Sequence, residues 1–354
     1  MSHRQIRTEI SIAGVSIKPG RRQSIDIPLP SYYTRSSACM PIHVVHGRNP
    51  GPCLLVCAAI HGDEINGVEI VRRILLHKSI DRIKGTLIAI PIVNVFGFVS
   101  KSRYLPDRRD LNRSFPGSET GSMAARLANV LMSEVMPHCT HVVDLHTGAI
   151  NRENLPQIRA KVIDEPETEA MARAFGVPVI LNSELLDGSF RMAARAHEIP
   201  VILYEAGEAL RFDEVAIRAG VKGVLGVMSH LGMRRKSRAH SQTNCLIANT
   251  SRWVRAHQSG ILRSLVANGA KVEIDEVLAY INDPLGEKSE PLLSPIAGIV
   301  IGKTNLPLVF EGEAVFHIAR YEEFADEVSD HIEAYQDELD PLSGNSESGE
   351  PPLV

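Results

Sequence analysis

The chain has 354 residues, 44% of them hydrophobic and 23% charged, with a formal net charge of −4. That composition supports a sizeable core and excludes wholesale disorder, and the length predicts about two or three structural units. The longest apolar run, Cys53 to Ile60, is eight residues, too short to cross a bilayer, so no membrane span is expected.

In chain order, the first fifty residues read as short strands and turns. From Gly51 apolar runs alternate with helical segments, the pattern of a layered α/β domain with a mixed, largely parallel sheet. Strands are predicted at Cys53 to Ile60, Thr86 to Val93, His141 to Leu145 and Pro200 to Tyr204. Each is apolar nearly throughout, as a sheet covered on both faces requires. Helices are predicted between them, over about 66–77, 122–136, 167–175 and 190–197. The polar stretch around Arg234, Arg235, Lys236 and Arg238 predicts a linker over 236–250, and residues 251–320 read as a small all-β unit. Residues 321–354 hold eleven acidic side chains and no lysine or arginine; removing them from the total of −4 leaves +7 on residues 1–320. They predict an acidic, partly disordered tail that keeps the protein off nucleic acid. The amino terminus has basic residues but no apolar stretch behind them, so a cytoplasmic protein is expected. Five cysteines without a Cys-x-x-Cys pair argue for reduced thiols rather than disulfides or a thiolate zinc site.

The residues with chemical potential fall at the ends of the predicted strands, where an open α/β sheet opens into its ligand crevice. His61-Gly62-Asp63-Glu64 follows the first buried strand, and an imidazole and a carboxylate three apart can converge on one metal ion. Asp144-Leu145-His146 ends the third; His146 would complete a set of two histidines and one glutamate with an open coordination position. Asp144, on the same strand face, is expected to accept the spare N–H of a ligating histidine, His61 being the first choice. Glu205, leaving the fourth strand, suits a general base, with Glu208 as the lesser candidate. On the long loop after the second strand, Asn112 and Arg113 suit a substrate carboxylate, and Arg103, in competition with Arg108 and Arg109, suits the developing oxyanion.

Together, His61-Gly62-Asp63-Glu64, Asp110-Leu111-Asn112-Arg113, Asp144-Leu145-His146 and Glu205-Ala206-Gly207 resemble the succinylglutamate desuccinylase and aspartoacylase family, a branch of the zinc carboxypeptidase-like hydrolases. The resemblance implies one zinc ion per chain held by His61, Glu64 and His146, Glu205 as proton shuttle, Asn112 and Arg113 on a substrate carboxylate, and Arg103 on the amide carbonyl. Arg103 stands two residues further from Asp110 than the aspartoacylase pattern has it, which leaves Arg109 as its rival. The resemblance also implies a homo-oligomer and a small N-acylated substrate. Residues 251–320 are similar to a biotinyl or lipoyl carrier-like barrel-sandwich hybrid, although Lys288 lacks the methionine-flanked setting of a modified lysine.

The expected organisation is therefore a zinc hydrolase domain over 1–235 with a β-rich segment 1–50, a linker 236–250, a β domain 251–320 and a tail 321–354. The expected activity is that of a zinc-dependent amidohydrolase that deacylates an N-acyl amino acid. Two alternatives remain open: a metallocarboxypeptidase acting on peptides or cell-wall fragments, and a zinc-binding interaction module without catalysis.

Overall fold

The computed structural model describes residues 8–235, 245–321 and 325–340. A mixed sheet of thirteen strands organises the chain. At its centre four strands run parallel in the order Lys84–Ile90, Asn49–Ala58, His141–Gly148 and Val201–Glu208. The outer pairings on the main path, including those to Ala38–His46 and Arg152–Ala160, are antiparallel. The sheet is thus mixed rather than largely parallel: parallel pairing holds at the centre and recurs off the main path, where Val179–Asn182 runs parallel to Arg152–Ala160 and to Leu246–Ala248. Parallel strands need helical crossovers that cover both faces, so a buried run identifies them, whereas half-polar flanking strands carry no such mark.

Two apolar cores lie on opposite faces of this centre. Val143 and Leu145 point into one, with helices Asn66–Leu76, Pro166–Phe175 and Glu214–His230; Val142 and Val201 point into the other, with Met123–Val130, Phe190–Arg195 and the amino-terminal strands. The predicted helix over 122–136 is α-helical to Val130 and continues as a π turn, Leu131–Val135.

Several elements differ from expectation. Glu214–His230, the longest helix among the described residues, and strands Arg152–Ala160 and Val179–Asn182 are not among the predicted elements. Within the expected linker, residues 236–244 lie outside the described residues, but Leu246–Ala248 is a strand beside Val179–Asn182. In the acidic tail Ala325–Leu339 is a helix, with Ile332, Tyr335 and Leu339 buried in the cores; residues 322–324 and 341–354 lie outside the described residues.

The strands of 251–320 form two layers around Leu278, Ile281, Val300, Phe316 and Ile318. One layer is a separate four-stranded sheet. The other continues the main sheet, because Gly298–Thr304 pairs with Arg152–Ala160. None of the described helices is long and apolar enough to cross a membrane.

Candidate metal centre

His61 and Glu64 lie in the turn that joins strand Asn49–Ala58 to helix Asn66–Leu76. Gly62 is what allows this turn to sit where it does: a Cβ there would lie 2.0 Å from the carbonyl carbon of Gly97. Helix Val95–Ser100, capped by the Asn94 side chain on the Gly97 N–H at 2.9 Å, therefore approaches backbone to backbone. His146 is still inside strand His141–Gly148, and Glu205 lies opposite it in the next strand, in parallel register. Register partners project from the same face, so the sheet itself delivers both side chains to one place.

The three expected ligands meet. One donor atom from each of His61, Glu64 and His146 falls within 4.8 Å of the others, and all three residues are buried. Glu64 spans the two rings, Oε1 being 2.7 Å from His61 Nδ1 and Oε2 2.7 Å from His146 Nδ1, while the two Nδ1 atoms are 3.2 Å apart. The Thr147 N–H also donates to Glu64 Oε2 at 3.2 Å.

Behind the rings stand two more carboxylates. Asp144 Oδ2 lies 2.9 Å from His146 Nε2. The expected pairing of Asp144 with His61 is thus corrected: two residues apart on one strand, Asp144 is held against its own neighbour's ring. His61 Nε2 instead faces Asp110 Oδ1 at 3.3 Å, off hydrogen-bond geometry, so this buried nitrogen keeps an unspent valence.

These charges control protonation. Burial opposes an imidazolium at His146, but Asp144 and Glu64 outweigh it and raise its pKa well above the ordinary value; at His61 the same opposition is outweighed by Glu64 and Asp110. Burial likewise pushes the Glu64 carboxyl up, and the two imidazoles overcome it and hold the carboxyl well below its usual range. A site that draws protons onto two imidazoles through surrounding carboxylates would draw a divalent cation by the same field. Two imidazoles with one carboxylate are the donor set that zinc accepts when a position is left for water. The residues present fit the ion.

The loop between the second and third central strands brings Arg103, not Arg109, to the cluster. Arg103 Nη1 donates to Glu64 Oε1 at 3.2 Å and Nη2 to Asp110 Oδ2 at 3.2 Å. The Arg109 side chain is 63% exposed and meets Asp107 at 3.8 Å. Asn112 is tied into the scaffold, its Oδ1 accepting from the Phe190 N–H at 2.9 Å, and the exposed Arg113 bends back to the Asn112 carbonyl oxygen at 2.6 Å. Glu208 fastens two segments, accepting from the Asn151 N–H at 3.0 Å and from Asn305 Nδ2 at 2.9 Å.

Sequence reasoning gave no role to Asp110 against His61, nor to the two side chains that hold Glu205. Glu205 Oε2 accepts from Asn154 Nδ2, and Arg159 Nη2 lies 3.5 Å from the same oxygen. Both come from strand Arg152–Ala160. Of the other polar residues in 149–199, Asn182 is structural, accepting from the Val162 N–H at 3.0 Å, and Arg191 is buried and donates to Ser183 Oγ at 3.0 Å.

Residues 50–231 match the model of the succinylglutamate desuccinylase/aspartoacylase catalytic domain. The N-alpha-acetyl-L-2,4-diaminobutyric acid deacetylase of Halomonas elongata is 26% identical over 254 residues, 69% of this chain and 74% of that one. Among solved structures, a succinylglutamate desuccinylase/aspartoacylase from Rhodobacter sphaeroides is 26% identical with a TM-score of 0.76, covering 86% of this chain and 98% of its own. The product-bound ectoine utilization protein of Ruegeria pomeroyi shares the fold at 23% identity and a TM-score of 0.77, with 85% of this chain and 95% of that one covered.

Proposed function

The chain belongs to the succinylglutamate desuccinylase/aspartoacylase family, and from that premise we propose that it is a zinc-dependent amidohydrolase removing the acyl group from a small N-acylated amino acid. The convergence of His61, Glu64 and His146 within 4.8 Å carries the reading. The deacetylase name of the Halomonas elongata relative supports the choice of an acyl amide over a peptide. Bound by these three residues, the ion would supply Lewis acidity for the amide carbonyl and ease the deprotonation of a water.

Glu205 takes the proton of the attacking water on a carboxylate oxygen and returns it to the leaving nitrogen as the tetrahedral carbon collapses. Asn154 and Arg159 both address Oε2, so Oε1 is the oxygen that moves the proton. Arg103, anchored by Glu64 and Asp110, donates to the carbonyl oxygen as negative charge develops on it. Asp144 holds the outer nitrogen of His146 and with it the direction of the inner one, and Asp110 faces the outer nitrogen of His61. Arg113, facing solvent beside the buried Asn112, meets the substrate carboxylate at the mouth of the site.

The test is a panel of N-acetyl and N-succinyl amino acids beside short peptides, assayed with elemental analysis of the purified protein. Release of amine from acyl amino acids, lost on chelation and restored by zinc, is the expected result. Turnover of peptides alone would move the assignment to a carboxypeptidase, and zinc binding without turnover of either class would overturn catalysis.

A further inference from the structure

The separate four-stranded sheet within residues 251–320 runs in the order Ser289–Leu293, Val277–Asn282, Gly260–Ser264 and Leu308–Val309. A strand sends successive side chains to opposite faces, and register partners share a face. On the inner face Leu262, Ile281, Leu292 and Val309 are buried between the two layers. The pairs Arg263 with Tyr280, Tyr280 with Pro291 and Ile261 with Leu308 define the outer face, and Leu265, Leu293 and Phe310 join it two residues further along their strands. An antiparallel sheet with one face toward water ordinarily presents polar residues there. This one presents Ile261, Leu265, Tyr280, Leu293, Leu308 and Phe310, exposed by 41, 55, 36, 42, 58 and 79%.

Taking about 200 Å² for a large side chain in full exposure, these six offer on the order of 600 Å² of apolar surface at those exposures. The largest apolar patch on an ordinary monomer is about 300–600 Å², so this face stands at the top of that range. A stable interface buries about 800 Å² on each partner, and in homodimers about two-thirds of it is apolar. The face therefore brings the apolar area that one half of a homodimer interface requires.

Its single charge fits a second copy as well. Arg263 is the one charged residue among the outward-facing register partners, and its guanidinium meets no carboxylate and no aromatic ring among the described residues. Tyr280 lies opposite it on the neighbouring strand. About a two-fold axis, any contact of one residue with another is made twice, so Arg263 of each copy can cover the Tyr280 ring of the other, an attractive pairing of cation and π face. One charge on an apolar face sets up too little field to draw nucleic acid or an anionic membrane.

We propose that the outer face of this sheet is the interface between two copies of the chain, packed sheet on sheet about a two-fold axis. The inference goes beyond the deacylase reading and does not rest on it.

Sedimentation equilibrium of the full chain over a range of concentrations tests it. The mass should rise with concentration to twice the 38.8 kDa of one chain. Leu308→Glu, at an exposed position, should raise the dissociation constant by about a hundredfold or more, because the axis buries an unpaired carboxylate twice. Leu76→Glu, at an exposed position of helix Asn66–Leu76, should leave it unchanged. In the unaltered chain, hydroxyl-radical labelling of Tyr280 and Phe310 should fall as the dimer forms, while labelling of the fully exposed Tyr33 stays constant. Should Leu308→Glu not fold, this labelling decides. A chain that stays monomeric at high concentration overturns the proposal, even where the face takes up a lipid vesicle or a different protein. A dimer that Leu308→Glu leaves intact, or that Leu76→Glu weakens equally, overturns it too, as does labelling of Tyr280 and Phe310 that does not change on assembly.

Discussion

Glu64 gives one oxygen to each imidazole, and each imidazole turns its outer nitrogen to an aspartate. At this scale each titratable group is set by its immediate neighbours, and substitutions can separate their roles. Glu205→Gln preserves shape and can keep an acceptor oxygen for Asn154, yet it cannot take a proton. The variant should retain its metal by elemental analysis and lose on the order of a hundredfold or more in turnover. His317 gives a different prediction. Burial first, and then the Arg159 charge, push its pKa down from 6.5 to about 3. Below 6.5 the unfolded chain binds a proton that the folded ring refuses. The contribution to stability is therefore whole above 6.5 and lost as pH falls toward the folded value, by about 2 kcal/mol between pH 6.5 and 5. Urea midpoints at pH 7 and pH 5 should show this loss in the unaltered chain and a shallower one in His317→Asn.

Elements were legible where burial wrote a regular pattern. The four central strands are apolar on both faces because helices cover both, and their runs mark them. Strand Arg152–Ala160 was not legible, because Asn154, Pro156, Gln157 and Arg159 interrupt its apolar residues, yet Asn154 and Arg159 are what hold Glu205. The spacing of two between Gln157 and Arg159 was the available signal. Helix Glu214–His230 was obscured by Gly220, Gly223 and Gly226, each less favourable than alanine by about 1 kcal/mol in a helix. Packing explains the first two. A Cβ on Gly220 would lie 2.3 Å from Ile70 Cδ1, and one on Gly223 2.1 Å from Phe175 Cε1. Phe175 is itself buried against Tyr204, ring centroids 4.8 Å apart, and has little room to yield. Gly223→Ala should therefore destabilise the protein by about 1–3 kcal/mol in denaturant unfolding, despite the better helix propensity of alanine. A stabilised variant would show that the ring moves aside.

At the scale of the whole molecule, one sheet runs from strand Arg21–Leu29 through the metal-ligand cluster into residues 251–320, which brings His317 within reach of the Arg159 charge. The acidic helix Ala325–Leu339 closes the far side. Tyr335 and Leu339 enter the core that holds Tyr204, Ile332 enters a smaller one, and Lys222 Nζ meets Glu338 Oε1 at 2.7 Å. Burial of an aliphatic or aromatic side chain is worth about 1.5–3 kcal/mol. A chain ending at Arg320 should consequently unfold several degrees lower in a thermal scan. An unchanged midpoint would mean that the helix contributes nothing to the fold. Net charge concealed this helix, whereas the spacing of its apolar residues, three and then four apart, was the signal that charge overrode.

The sequence by itself determined the central strands, the chemical types at their ends and the donor set that suits zinc, because burial and ligand chemistry are local properties of residue type and spacing. Only the tertiary structure decided which groups meet: Asp144 with His146 rather than His61, Asp110 with His61, Arg103 rather than Arg109 at the cluster, and Arg159 beside Glu205. Those pairings depend on strand register and on the path of a long loop, and both are settled by packing between segments far apart in the chain rather than by the residues on either side.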